Sequence, residues 1–326
     1  SELHYNDKNL IEKVIRALSL LEMLVKAGCP LVFKGGTALM LILGKSAHRL
    51  SIDIDLICPP GTNIEDYLKS FADFGFINLE LVERKQRDDA DIPKSHSKFF
   101  YQIAYRNDTD AQSYILLDVL YEDIHYFRTQ QIAINCPFIR LEGKPLMVTV
   151  PSAEDILGDK LTAFAPNTTG IPYYRNGRSC SMEIAKQLYD VGRLFENVSD
   201  LQITKEAFRK IAVVELSYRS FGTDIGQVFN DIRQTALCIS TRGKAGEGDF
   251  DLIQDGIIRV KSFMYKQRYL IDHAIIDAAR AAYLATLIEK GINEIESYSN
   301  NPADIKDMVI RPSLPNKLNK LRSNLP

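Results

Sequence analysis

The densest chemistry in the sequence lies in KGGTALMLILGKSAHRLSIDIDLI, residues 34–57. Leu50–Cys58 alternates apolar and polar residues. As a strand it places Leu50, Ile52, Ile54 and Leu56 on one face and Ser51, Asp53 and Asp55 on the other. Aspartate is disfavoured in strands, so two on one face need a reason. Either the strand is a solvated edge, or the carboxylates hold a divalent cation such as Mg²⁺, whose shell phosphate oxygens complete. Gly35-Gly36 also admits two readings. It is a tight strand-to-helix turn, or it opens backbone N–H groups to an anion at a helix N-terminus, with the Thr37 hydroxyl as a further donor. A phosphate cradle followed by a metal-binding strand implies a bound nucleoside triphosphate. Gly44-Lys45-Ser46 is not a P-loop, because that motif needs a glycine where Leu39 stands and would open a helix rather than end one.

A third carboxylate, Asp118, interrupts the apolar strand SYILLDVLYED. It is either hydrogen-bonded to backbone or bound to metal, since a lone buried carboxylate is costly. Three carboxylates from two strands could hold two Mg²⁺ ions, one on the triphosphate and one on an attacking hydroxyl that Asp118 helps to activate. The five histidines do not cluster, and Ser–His–Asp or Cys–His catalysis has no support.

The elements that must position these residues follow from periodicity. Residues 8–27 carry apolar side chains at helical spacing. Leu31–Phe33 reads as a short strand, 37–43 as a buried helix and 64–74 as helical. Strands are expected near 77–84, 98–106 and 113–121, with the charged stretch 84–98 as a mobile loop, and a strand-rich patch covers 131–150. After Pro151 a helix spans 152–164, with Ser152 as N-cap and Asp155 at the capping-box position. A loop over 165–180 mixes Tyr173, Tyr174, Arg175 and Arg178, which suits base stacking and phosphate contact as well as it suits an ordinary surface loop. Helices are expected over 182–196, 204–219, 222–239, 249–267 and 269–291. The tail from 312 reads as poorly ordered.

With 326 residues, 45% apolar and 25% charged, the composition is ordinary for a globular chain. A net charge of −2 excludes the basic signature of a nucleic-acid coat protein, so any nucleic-acid contact is local. Five scattered cysteines without a C-x-x-C pair speak against a zinc site or a disulfide framework. Together with the absence of a membrane-length apolar run, they lead to the expectation of a soluble cytoplasmic protein.

The ordered set Lys34-Gly35-Gly36-Thr37-Ala38-Leu39, Arg49-Leu50-Ser51-Ile52-Asp53-Ile54-Asp55-Leu56, Glu154 to Ala163 and Lys186 to Val191 resembles the AbiEii/AbiGii toxin family. These are DNA-polymerase-β-like nucleotidyltransferases, also called the MenT group, of type IV toxin–antitoxin and abortive-infection systems. The resemblance covers most of residues 5–290. It implies that Ser51, Asp53, Lys160 and Asp190 are essential, with Asp55 the second carboxylate of the first motif, and that Lys34, Gly35, Gly36, Thr37, Arg49 and Lys160 bind the nucleotide. Without it, Lys160 and Asp190 read as ordinary helix-surface charges. Thr37 stands where many relatives have serine, and Leu188-Tyr189 precede Asp190 where some have arginine. The phosphate contact then falls to Arg175, Arg178 or Lys186.

The expected architecture is α/β: a DNA-polymerase-β-like nucleotidyltransferase domain with a mixed sheet over 1–150, then an α-helical bundle over 151–326 completing the active-site cleft. The expected reaction is Mg²⁺-dependent transfer of a nucleotide from an NTP to RNA, the resemblance pointing to the tRNA 3′ end. Asp53, Asp55 and Asp118 are the expected metal ligands, a cognate antitoxin the expected partner, and no membrane is involved. The rivals are an antibiotic-modifying nucleotidyltransferase and a non-catalytic binding module.

Overall fold

The computed structural model describes residues 7–81, 94–104, 111–136, 140–198, 200–219, 222, 224–296 and 301. Helix α1 (Lys8–Lys26) begins where the Asp7 side chain accepts a hydrogen bond from the Leu10 N–H at 3.1 Å. Leu10, Val14, Ala17, Leu21 and Leu24 alternate four- and three-residue steps and form one buried stripe.

Next come β1 (Val32–Lys34), α2 (Gly35–Leu43), β2 (Ile54–Cys58), β3 (Asn78–Leu81), β4 (Lys94–Gln102) and β5 (Gln112–Tyr121). The strands form a mixed sheet in the order β1-β2-β5-β4-β3, in which β2 and β5 are parallel and the other neighbours antiparallel. Residues directly opposite each other share a face. Phe33, Ile54, Leu56, Phe99, Ile115, Leu117 and Val119 therefore line one face, which is buried in the same core as the α1 stripe. On the other face one cross-strand row sets Lys34 opposite Asp55, Asp55 opposite Asp118, and Asp118 opposite His96.

A separate hairpin, β6 (Thr129–Ala133) with β7 (Met147–Pro151), packs beside β1. Helix α3 (Ala153–Ala163) follows with Ser152 as the expected N-cap: its Oγ accepts the Asp155 N–H at 3.2 Å and donates to Asp155 Oδ2 at 2.8 Å, while the Ser152 N–H donates to the Arg128 carbonyl at 2.9 Å, so the reciprocal half of the capping box is not made. The buried Asp155 carboxylate also accepts the N–H groups of Phe127 and Arg128, at 2.7 and 3.0 Å. It anchors the chain entering β6.

The chain divides into two compact units, Ser1–Ile156 with Ser262–Arg268, and Leu157–Lys261 with Tyr269–Pro326. The second unit holds the two-stranded ribbon β8 (Tyr174–Arg175) and β9 (Arg178–Ser179). Its helices are the end of α3, then α4 (Ser181–Phe195), α5 (Leu201–Tyr218), α6 (Ile225–Ser240), α7 (Phe250–Val260) and α8 (Ile271–Lys290). Within it α4 packs on α7 and α8, and α6 packs on α8.

Several expectations are corrected. The strand expected over Leu50–Cys58 begins only at Ile54, because residues 48–50 bond instead to 263–265. Residues 64–74 form two 3₁₀ turns, Ile64–Tyr67 and Phe71–Phe74, whose three-residue apolar spacing imitates a helix. Lys94–Lys98 is not loop but the start of β4, where Ser97 faces inward and the charged residues alternate outward; residues 82–93 lie outside the described set, as does the tail from 302 onward. The helix expected over 249–267 stops at Val260, a 3₁₀ turn follows at Lys261–Phe263, and the chain returns to the first unit. Gly44–Ser46 is a 3₁₀ turn closing α2, in keeping with the rejected P-loop.

Candidate active site

The end of β1 runs directly into α2, and the glycines at this junction are there for proximity. A Cβ on Gly35, whose φ is +79°, would lie 2.0 Å from Asp55 Oδ2. One on Gly36 would lie 2.7 Å from Ser51 Oγ and 3.0 Å from Arg49 Nη2. Any larger residue would displace the acidic motif, so the first turn of α2 and the segment 49–55 are built around each other. Thr37 is fully buried, and its hydroxyl donates to the Asp53 carbonyl at 2.7 Å. The side chain expected to face phosphate thus fixes the backbone of Asp53. Lys34, at the helix N-cap position, holds its ammonium 5.8 Å from the centre of the Tyr126 ring.

The segment ahead of the aspartates is clamped from far along the chain. Leu50 N–H donates to the Phe263 carbonyl at 2.9 Å, and Tyr265 N–H to the His48 carbonyl at 3.1 Å. The Tyr265 hydroxyl bonds the Ala47 carbonyl. Burial pushes its phenol up to about 12. Arg49 is buried, and its Nη1 donates to the Leu50 carbonyl at 3.0 Å.

The sheet then adds Asp118. Parallel register sets it beside Asp55, and from the other side His96 Nδ1 lies 2.5 Å from Asp118 Oδ1. Gly35, Gly36, Arg49, Ser51, Asp53, Asp55 and Asp118 are therefore gathered in the first unit. Among the described residues, no three carboxylate, imidazole or thiol groups converge closely enough to hold a metal by themselves. Asp55 and Asp118 in register nevertheless fit Mg²⁺, which characteristically takes one or two carboxylates and obtains the rest of its shell from water and substrate phosphate.

Lys160 and Asp190 belong to the second unit and sit deep inside it. The Lys160 ammonium lies 3.1 Å from Asp190 Oδ2 and donates to Gln187 Oε1 at 3.0 Å, with 8% and 3% of the two charged side chains exposed. Neither is the solvated helix charge that pattern alone suggested. The loop 165–180 folds into the ribbon β8–β9 around Asn176-Gly177, both with positive φ, leaving Arg175, Arg178 and Tyr174 exposed. Tyr173, expected in the same stacking group, is a correction: its hydroxyl is buried and its phenol pushed up to about 12, chiefly by burial.

His96 and the return segment 262–268 escaped the sequence reading. The alternation of Lys94, His96 and Lys98 marks one strand face, but nothing local says that Asp118 is its neighbour. Likewise, residues 263–265 carry no sign that they pair with 48–50.

Residues 18–294 match the family model described as nucleotidyl transferase AbiEii toxin, type IV toxin–antitoxin system. The chain belongs to that family. AbiEii membership makes the protein a nucleotidyltransferase toxin with a nucleotide substrate and an antitoxin partner. Among solved structures, it is similar to JHP933 from Helicobacter pylori, at 16% identity over 87% of this chain and 90% of that one, with a TM-score of 0.42. It is also similar to MenT4, a nucleotidyltransferase toxin from Mycobacterium tuberculosis H37Rv, at 14% identity over 86% and 82% of the two chains, with a TM-score of 0.43. No curated protein matches the chain. Among the described residues, no helix is long and apolar enough to cross a membrane.

Proposed function

We propose that this AbiEii-family protein transfers a nucleotide from an NTP to the 3′ hydroxyl of an RNA, with tRNA as the acceptor. In this reading the first unit is a DNA-polymerase-β-like nucleotidyltransferase domain, and the helices of the second form a bundle that supplies Lys160 and Asp190. The observation that carries it is the register of β2 on β5, which sets Asp55 beside Asp118 while Gly35 and Gly36 lie against Asp55 and Ser51.

The acceptor hydroxyl attacks the α-phosphorus in line. The new O–P bond forms as the bond to the bridging oxygen breaks, pyrophosphate leaves, and the hydroxyl proton passes to a carboxylate, for which Asp118 is best placed. Backbone N–H groups of the first turn of α2, which lack a side-chain cap, and Ser51 Oγ bind phosphate oxygens. Thr37 holds Asp53 in place from behind. Asp55 and Asp118 would hold Mg²⁺, with Asp53 joining them once the ion is bound, and the ion would neutralise the triphosphate and make the acceptor hydroxyl more acidic. Lys160 and Arg49 add positive charge for the triphosphate, and Arg175 and Arg178 for the RNA backbone.

Purified protein incubated with total RNA, each labelled NTP and Mg²⁺ tests this. Label is expected on tRNA and is expected to vanish when the 3′ diol is destroyed by periodate. With three or four basic contacts, acceptor affinity should fall on the order of tenfold to a hundredfold between low and physiological salt. Equal labelling of oxidised tRNA rules out the 3′ end. Label on an aminoglycoside and none on RNA assigns the protein to small-molecule modification.

A further inference from the structure

We infer that His96 is a positioning residue for the transfer reaction, fixing Asp118 in the orientation that works with Asp55; this rests on the role given to Asp118 above. The two carboxylates are Cα partners on neighbouring parallel strands and share a face. Like charges so placed repel, and a carboxylate free to rotate would swing away from its neighbour. Asp118 does not have that freedom. On its far side, in the same row, His96 reaches across from β4 and brings Nδ1 to 2.5 Å from Oδ1. An ionised carboxylate only accepts, so Nδ1 carries the proton and donates it. One oxygen of Asp118 is thereby committed to the imidazole, and the other is left for chemistry.

Exposure separates this role from mere satisfaction of a buried charge. The Asp118 side chain is 35% exposed, so water alone could solvate it, whereas the His96 side chain is only 13% exposed. The histidine is the enclosed, fixed partner and the aspartate the accessible one. The arrangement is that of a brace behind a working group, as when an outer hydrogen bond orients a metal-binding or reacting carboxylate. It differs from a triad, in which the imidazole is the exposed member.

The test compares His96→Phe, which keeps a ring but removes the donor, with His96→Gln, which keeps a donor. Mn²⁺ binding is followed by electron paramagnetic resonance in the presence of an α,β-methylene NTP, which cannot react, alongside single-turnover transfer to tRNA. His96→Phe should weaken Mn²⁺ binding and slow transfer, each by about 10- to 100-fold, with the KM for NTP changed less than about twofold. His96→Gln should recover most of both losses. A thermal melt checks the fold, and His96→Leu replaces the phenylalanine variant if the ring does not fit. If the wild-type protein binds Mn²⁺ and the donor-free variant binds it equally well, the positioning role is wrong while the site stands. Equal losses in the phenylalanine and glutamine variants would show that only the shape of histidine matters, and would also overturn it. A wild-type protein that binds no Mn²⁺ with the analogue overturns the reading of the site and this inference together.

Discussion

Asp55 and Asp118 stand side by side on a half-exposed sheet face, whereas Lys160 and Asp190 close on each other inside helical packing. The first pair is brought together by strand register and by two glycines that leave room for it. It carries like charges, and the β2 residues of the main core cluster, Ile54, Leu56 and Cys58, point to the opposite face. The second pair is self-neutralising and almost dry. Removing one member leaves a buried charge without its partner, which is strongly destabilising. The two pairs are thus held by opposite means, and substitution should separate them: activity without stability in the sheet, stability together with activity in the helices.

The largest effect is expected at the sheet. Asp53→Asn and Asp55→Asn should each lower transfer by at least about 10³-fold, or about 4 kcal/mol of transition-state stabilisation. The melting temperature should change little, since the main core residues of β2 lie on the opposite face. Expression of Asp53→Asn should leave growth unaffected where the wild-type protein slows it. Full transfer by either variant at limiting Mg²⁺ would remove that residue from the site, and a collapse of the melting temperature would erase the contrast with Lys160.

Next comes the buried pair. Lys160→Met or Asp190→Asn should each cost roughly 3–5 kcal/mol of stability by denaturant titration, and the double variant less than the sum of the two. Lys160→Met should also weaken NTP binding more than nucleoside binding, by calorimetry under conditions where it remains folded. Additive stability losses would mean that the two charges do not interact. Equal losses for both ligands would mean that Lys160 has no part in binding the triphosphate.

How far the sequence carried depended on whether a signal was local. The N-cap Ser152, the helical period of α1 and the Gly-Gly junction were legible because cap, period and turn are written in adjacent residues. The Asn176-Gly177 turn was legible in principle as a hairpin signal, although the ribbon went unread. Asp118 was visible as a charge in an apolar strand. Asp55 was placed with it only through the chemistry of a shared metal site, and His96 was missed, because pairing between strands far apart in sequence leaves no periodic trace. The same limit hid the return of 262–268, which takes residues 48–50 out of β2, and the mutual burial of Lys160 and Asp190. In each case the missing information was a register or a packing partner, while the residue type itself was plain.

The smallest effect concerns a second buried carboxylate in the helical unit, and it extends the contrast to pH. Asp277 on α8 accepts the Tyr269 hydroxyl at 3.0 Å and Arg280 Nη1 at 3.1 Å. Burial nevertheless dominates and raises its carboxyl from 3.8 to about 6, against the charges of Arg193 and Arg280 and its hydrogen bonds to Tyr269 and Arg280, which pull it down. Between about pH 4 and 6 the native protein therefore keeps a proton that the unfolded chain has released. Its contribution to stability is complete below the unfolded value and is lost as pH rises through about 6. The displacement corresponds to about 3 kcal/mol at most. Asp277→Asn, which cannot titrate but still accepts a hydrogen bond, should flatten this part of the profile: the difference in unfolding free energy between pH 4.5 and pH 7 should shrink relative to wild type. Parallel profiles for wild type and Asp277→Asn would show that the charge is compensated in the native state as fully as in water, and would remove Asp277 from the contrast.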